Sequence, residues 1–457
     1  MENLHSDIIE NILSRLSIEA ALHAKRVCTT WREILRCKTE KPGFFFGLSR
    51  KVKREGGVSK SRISRKRFFY EDEYDHYDHA KMNYYHSYNT LSEIQHGRFI
   101  TKYLSRYIMV GSCHGLVCFR KSNEHTQGAI DPFLIRNPLI GELIVLPEYN
   151  YSDQLPTDIS STTPPTSRLT SGFGYCPSTN SYKVVTIYYY HGKNKGHVQV
   201  YTVGREWRYI GFIVRPYSLD YFSGIYANGA LYWLHDKVQN CETVAFELEA
   251  ETFDYIPLPS SVDSEYKDYS LSVLHLLGAN NKLYLFHKTY QASRTDIWVY
   301  MSNNTSIGTN NTITMKECNQ EEKYHDRGSP CWIKRFSIRW EVPFFTPFAI
   351  TRSNEVLLWK CVGPRLYCYD PNTSTLKRLW DGTAKGTKWD YVEAIPHRQS
   401  IVSLKDLGEK NVTSLKDLEK LMLQASSKDS GEGDVTVYES ATIPSTETRD
   451  AKRSKNC

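Results

Sequence analysis

Nowhere in this sequence do eighteen consecutive apolar residues occur, so no segment is expected to span a bilayer as a helix. The N-terminus has no basic stretch leading into an apolar one, and a secretory leader is not expected. There is also no Walker loop, no dinucleotide fingerprint after a strand, no His-Glu-x-x-His, and no carboxylate pair set for shared acid–base work. No catalytic residue is therefore assigned, and no cofactor is expected. The eleven cysteines are odd in number and irregularly spaced, which suits free thiols in a reducing compartment better than a disulfide framework. The expected location is cytoplasmic and/or nuclear. A net charge of +7 is small for this length and does not by itself imply nucleic acid.

What the chain has in quantity is tyrosine, with glycine and proline scattered through its middle, a composition that favours β structure. From Phe44 to about Leu404, short apolar runs alternate with turn residues, as in Tyr182-Lys183-Val184-Val185, Ala230-Leu231-Tyr232-Trp233-Leu234 and Lys282-Leu283-Tyr284-Leu285-Phe286. Two patterns recur. One is a Gly- or Asn-rich turn before a strand, at His114-Gly115, Asn228-Gly229 and Asn280-Asn281. The other is a strand, a polar turn and a strand ending in Leu or Leu-Pro, at Ile135 to Pro147, Phe246 to Pro259 and Tyr369 to Leu379. Each reads as one hairpin of a four-stranded blade at irregular spacing, which predicts an irregular β-propeller with long loops.

The first forty residues differ. Leu4, Ile8, Ile9, Ile12, Leu13 and Leu16 recur at helical spacing. Ser17 restarts the chain into Ala20, Ala21, Leu22 and Ala24, and Thr30-Trp31-Arg32-Glu33 reads as a capping box opening a third helix. Three such helices have almost no private interior. They are expected to complete their core on the downstream domain or on a partner.

In register over this span, Leu4, Asp7, Ile8, Ile9, Ile12, Leu13, Ser14, Arg15, Leu16, Leu22, Val27, Cys28, Trp31 and Arg32 resemble the F-box family. Downstream, Gly111 to Cys118, Arg136-Asn137-Pro138, Phe173-Gly174-Tyr175, Tyr182 to Val185, Asn228 to Trp233 and Tyr369-Asp370-Pro371 resemble the F-box-associated β domain of plant F-box proteins. The expected architecture is an all-α F-box over 1–42, a β-propeller-like domain over 43–408 with a charged loop at about 50–67, and a short helix and disordered tail over 409–457.

Other patterns point to chemistry less well. Gly111-Ser112-Cys113-His114-Gly115 has the outline of a nucleophile elbow, but a strand signal follows it where a helix is needed. It reads as a β-turn. Cys113, His114 and Cys118, or Cys361 and Cys368, or Asp75, His76, Asp78 and His79, do not supply four zinc ligands as two close pairs. No metal is expected. The basic run Arg50, Lys51, Lys53, Arg54, Lys60, Arg62, Arg65, Lys66 and Arg67 reads as a solvated loop, with nuclear import as its alternative. Ser403-Leu404-Lys405-Asp406-Leu407 recurs as Ser414-Leu415-Lys416-Asp417-Leu418.

The resemblance implies a non-enzymatic substrate receptor of an SCF-type (Skp–cullin–F-box) ubiquitin ligase. Its F-box would dock a Skp-family adaptor through Leu4, Ile8, Leu13, Leu16, Val27, Cys28 and Trp31, and cullin and RING subunits would follow through that adaptor. An unidentified target protein would meet loops of the β domain at Tyr149 to Ser171, Tyr190 to Gly196 and Asn303 to Cys331. The alternatives are a propeller that binds a ligand or sugar or acts as an enzyme, and an adaptor-binding scaffold outside any ligase.

Overall fold

The computed structural model describes residues 5–35, 39–52, 62–71, 107–121, 133–147, 168–189, 195–214, 223–235, 241–265, 272–279, 281–289, 293–301, 331–339, 345–351, 353–360, 365–380, 383–384, 387–388, 391–414 and 417, with 39–52, 62–71, 383–384, 387–388, 391–393 and a few other residues described as backbone only. Three short helices precede a large all-β domain arranged as a propeller. Five antiparallel four-stranded meanders follow one another along the chain. Blade 1 is Tyr107–Cys113, Leu116–Lys121, Leu134–Arg136 and Glu142–Val145; blade 2 is Arg168–Cys176, Ser181–Tyr189, Lys195–Thr202 and Trp207–Val214. Blade 3 is Ile225–Ala227, Ala230–His235, Glu242–Glu247 and Phe253–Pro257; blade 4 is Ser272–Ala279, Lys282–Thr289, Arg294–Met301 and Cys331–Arg339. Blade 5 is Phe345–Ile350, Val356–Lys360, Arg365–Asp370 and Thr375–Trp380.

The first strands of successive blades are neighbours, so each blade is laid down from the ring axis outward. The gap between blades 5 and 1 is filled by Tyr391–Ser400, which neighbours the first strand of both. It belongs to a closing sheet ordered Arg62–Glu71, Thr39–Val52, Tyr391–Ser400, with pairs such as Phe45↔Ile395 and Leu48↔Val392. Segments from opposite ends of the β region thus close the ring. Within this sheet Thr39–Val52 and Arg62–Glu71 run into the basic stretch, pairing Arg50 with Arg65 and Ser49 with Lys66. The expected charged loop is therefore partly a hairpin, because Leu48, Val52 and Ile63 interleave with the charges and let the strands continue; Lys53, Arg54 and Lys60 lie outside the described residues.

The recurrent turns have a common cause. In each blade the hairpin between first and second strands carries a non-glycine residue at positive φ: His114 (42°), Asn180 (47°), Asn228 (46°), Asn281 (59°) and Asn354 (66°). Tight hairpins whose twist matches that of the strands demand this left-handed backbone, which Asn tolerates best after Gly. His114-Gly115 is thus a two-residue turn of this kind, as its reading as a β-turn expects.

Between blades the core forms one apolar layer per junction. Phe173, Val184 and Tyr201 meet Leu116, Cys118 and Ile135 between blades 1 and 2; Leu231, Trp233 and Phe246 meet Val185, Val198 and Val200 between blades 2 and 3. Strands buried on both faces read as unbroken apolar runs, which is why Ala230–His235 is buried at every position. One six-residue helix, Ser260–Glu265, stands between blades 3 and 4, too short to show periodicity in sequence. Beyond Ser400 the chain crosses blades 1 and 2 as a strap. The Glu142 carboxylate accepts from the Ser403 hydroxyl at 3.0 Å and the Leu404 N–H at 2.6 Å. Farther on, Glu409 accepts from the Tyr201 hydroxyl at 2.9 Å and the Gly204 N–H at 2.7 Å. This compact unit ends at Val412 and a second begins at Thr413.

Candidate functional site

The helical unit comprises α1 (Ser6–Ser14), α2 (Ile18–Ala24) and α3 (Thr29–Leu35). Asp7 lies in the first turn of α1, where a carboxylate suits the positive end of the helix dipole. Ser17 caps α2, its hydroxyl accepting the Ala20 N–H at 3.2 Å. Helix α3 starts two residues earlier than the Thr30 capping box predicts. There Cys28 occupies the cap position: its sulfur accepts the Trp31 N–H at 3.5 Å, and its carbonyl accepts the Arg32 N–H at 3.1 Å. A thiol is a weak acceptor, which is why hydroxyl-based reasoning passes over it.

Leu13, Ala21, Ala24 and Leu35 are buried together with Ile401, and Ile9, Leu16, Leu22, Trp31, Ile34 and Leu139 pack around them. Ala21 and Ala24 are small enough to let α2 sit close. The helices thus complete their core on the downstream domain, through Leu139 of blade 1 and Ile401 of the strap. The Lys25 ammonium also donates to the Ile401 carbonyl at 3.4 Å. Both seat residues are held by Asn137. Its amide nitrogen donates to the Ser400 and Val402 carbonyls at 2.8 and 2.7 Å, and its amide oxygen accepts the Leu139 N–H at 2.9 Å.

A family model described as "F-box domain" matches residues 1–40, and one described as "F-box associated beta propeller domain" matches residues 72–390. The chain is an F-box protein. It is similar to an F-box/kelch-repeat protein of Arabidopsis thaliana, 27% identical over 266 residues that make up 56% of this chain and 66% of that protein. A second F-box protein of the same plant is 26% identical over 294 residues, 57% of this chain and 61% of that protein. The chain therefore spans less than two thirds of the length of these relatives. Among solved structures, a chain of a nidogen/laminin complex aligns at a TM-score of 0.37 and 9% identity, covering 78% of this chain and 98% of that one; a likeness at that level carries no argument.

The F-box residues divide into two sets. Ile8 (49% exposed), Ile12 (46%), Val27 (65%) and Cys28 face solvent. Leu13 is fully buried, and Leu16 and Trp31 are half-buried against the helical core. Leu4 lies outside the described residues. Periodicity gives the apolar stripe but not which part of it the propeller takes.

Elsewhere in this F-box protein the elbow-like segment is a strand–turn–strand hairpin. Cys113 is buried inside blade 1, and burial pushes its thiol far up, outweighing the Tyr226 hydroxyl and Tyr175 backbone that oppose the shift. Cys118 is likewise buried and raised. Among the described residues no three His, Cys, Asp or Glu side chains gather as a metal site would need; Cys361 and the Asp75 to His79 stretch lie outside them. Among the described residues no helix is long and apolar enough to cross a membrane. Most of the three loops expected to meet a target, and the tail after Asp417, also fall outside the described residues. The duplicated segment makes the same local turn twice: Ser403 Oγ accepts the Asp406 N–H at 3.3 Å, and Ser414 Oγ accepts the Asp417 N–H at 3.2 Å. Sequence reasoning missed Asn137, Leu139, Glu142 and Ile401. The signal for the first was Arg136-Asn137-Pro138, read only as a family mark.

Proposed function

We propose that this chain is the substrate-receptor subunit of an SCF-type ubiquitin ligase, itself without catalytic residues, acting in the cytoplasm and/or nucleus. The observation that carries this reading is the pairing of an F-box with an F-box-associated propeller in one chain, together with apolar Ile8 and Ile12 left exposed on α1 and Val27 on the turn before α3. A Skp-family adaptor would cover these and Cys28, joined by Leu4. Leu13, Leu16 and Trp31 would support the contact from beneath. Cullin and RING subunits would attach through the adaptor, and the propeller would hold an unidentified target protein near the charged ubiquitin carrier, supplying proximity.

The test is co-expression with a Skp-family adaptor. Wild type should co-purify stoichiometrically, and an Ile8→Asp, Val27→Asp variant, altered only at exposed positions, should stay folded and lose the adaptor. A folded wild type that ignores the adaptor would sink the reading.

A further inference from the structure

We propose that Asn137 fixes the orientation of the N-terminal helices on the propeller by holding both halves of their seat with one side-chain amide. The proposal rests on the receptor reading for its consequence, though not for its geometry. Asn137 is fully buried. Its two amide hydrogens go to the carbonyls of Ser400 and Val402 at 2.8 and 2.7 Å, the residues on either side of Ile401. Its oxygen takes the N–H groups of Leu139 at 2.9 Å and Ile140 at 3.5 Å. Its backbone closes the same turn, N–H to the Glu142 carbonyl at 2.9 Å and carbonyl from the Gly141 N–H at 3.0 Å.

Among the described residues, Leu139 of the β domain and Ile401 of the strap enter the helical core. Their backbones come from segments far apart in sequence, and the amide joins them. Two donors and an acceptor on one short side chain are needed here. Asp keeps the acceptor and loses both donors, and Leu loses all three. Just downstream Glu142 holds Ser403 and Leu404, so the strap is pinned on both sides of Ile401. The seat cannot drift, and the helices resting on Leu139 and Ile401 cannot swing. In a receptor, that would set which target lysines reach the ubiquitin carrier. Asn137 is in this sense a positioning residue.

The experiment is hydrogen–deuterium exchange of the full chain, free and adaptor-bound, for wild type, Asn137→Asp, and a Leu139→Ala, Ile401→Ala variant that leaves the amide bonds in place. We expect at least tenfold faster exchange across residues 5–35 in both variants, unchanged exchange in Ser181–Tyr189 and Ala230–His235, and unchanged adaptor capture. In a reconstituted ligase, autoubiquitylation should then spread over more lysines of the variant chain than of wild type. Unchanged exchange in the helices of Asn137→Asp would overturn the proposal whatever the double variant shows, as would acceleration spread evenly over all blades, which would mean a purely structural role. Should Asn137→Asp fail to fold, Asn137→Ser, whose single hydroxyl cannot serve both the Ser400 and Val402 carbonyls, is read by the same criteria. Should wild type fail to bind the adaptor, the receptor reading falls, while the exchange pattern alone still decides whether Asn137 holds the seat.

Discussion

Ser112 Oγ lies 2.7 Å from His397 Nδ1, a contact that ties the first strand of blade 1 to the strand that closes the ring. His397 is buried, and burial pushes its pKa down to about 3. In the unfolded chain the imidazole takes a proton near pH 6.5, which the folded chain refuses until about pH 3. The unfolded state therefore binds more protons throughout that window, and stability falls as pH drops through it. A His397→Gln variant should show a shallower decline in urea midpoint than wild type below about pH 6.5. Parallel slopes for the two proteins would show that His397 titrates alike in both states.

Blades 2 and 3 are joined by charge. Glu251 accepts from Lys183 at 2.9 Å and from Arg208 at 2.6 Å, and Lys183 also donates to the Leu248 carbonyl. Burial pushes the Glu251 carboxyl up, but hydrogen bonds from Arg208 and Lys183 outweigh it and hold the group below its usual value. Its contribution is present above the ordinary carboxylate pKa and is lost as pH falls through the lowered one. The partners are unequal: Lys183 is buried and Arg208 half-exposed. Glu251→Ala should cost about 3 kcal/mol, since it strands the buried ammonium, and Arg208→Ala under about 1 kcal/mol. Urea denaturation of the two variants would reverse this view if Arg208 proved the larger loss.

The strands and their inner hairpins were legible because alternation and Asn or Gly turns are local signals, as at Asn228-Gly229 before Ala230–His235. The three helices were legible from periodicity and register. The seat was not. Asn137 bonds to carbonyls 263 and 265 residues away, and no local pattern announces a side chain whose partners lie that far along the chain. The closing sheet was hidden in the same way, since Phe45 shows strand character but not its partner Ile395. The orientation of the F-box stripe depends on what covers it, which Leu139 and Ile401 decide.

Glycine on the inner strands tests how tightly the blades meet. A Cβ on Gly278 of blade 4 would stand 2.4 Å from the Tyr226 carbonyl oxygen of blade 3, a backbone atom that cannot swing aside. A Cβ on Gly111 would stand 3.3 Å from the Phe173 carbonyl, a gap that small shifts relieve. Gly278→Ala should therefore destabilise by about 1–3 kcal/mol, and Gly111→Ala by clearly less. Thermal melts of both variants in one buffer would check the order, and equal losses would contradict the packing argument.

Thiol reactivity separates the exposed face of the helices from the blade interiors. Cys28 is exposed at the start of α3, whereas Cys113, Cys118, Cys176, Cys241 and Cys368 are buried. Burial pushes Cys368 up to about 12, with Glu355 and Asp370 adding to the shift against Lys377, so little of it is thiolate at neutral pH. Iodoacetamide on the native chain should modify Cys28 well before these five, as peptide mass spectrometry would read. Cys28 also lies on the surface assigned to the adaptor, so prior addition of a Skp-family protein should slow its alkylation at least tenfold while Ile8→Asp, Val27→Asp chains show no such protection. Rapid labelling of Cys28 in a stoichiometric adaptor complex would place the contact elsewhere on the helices.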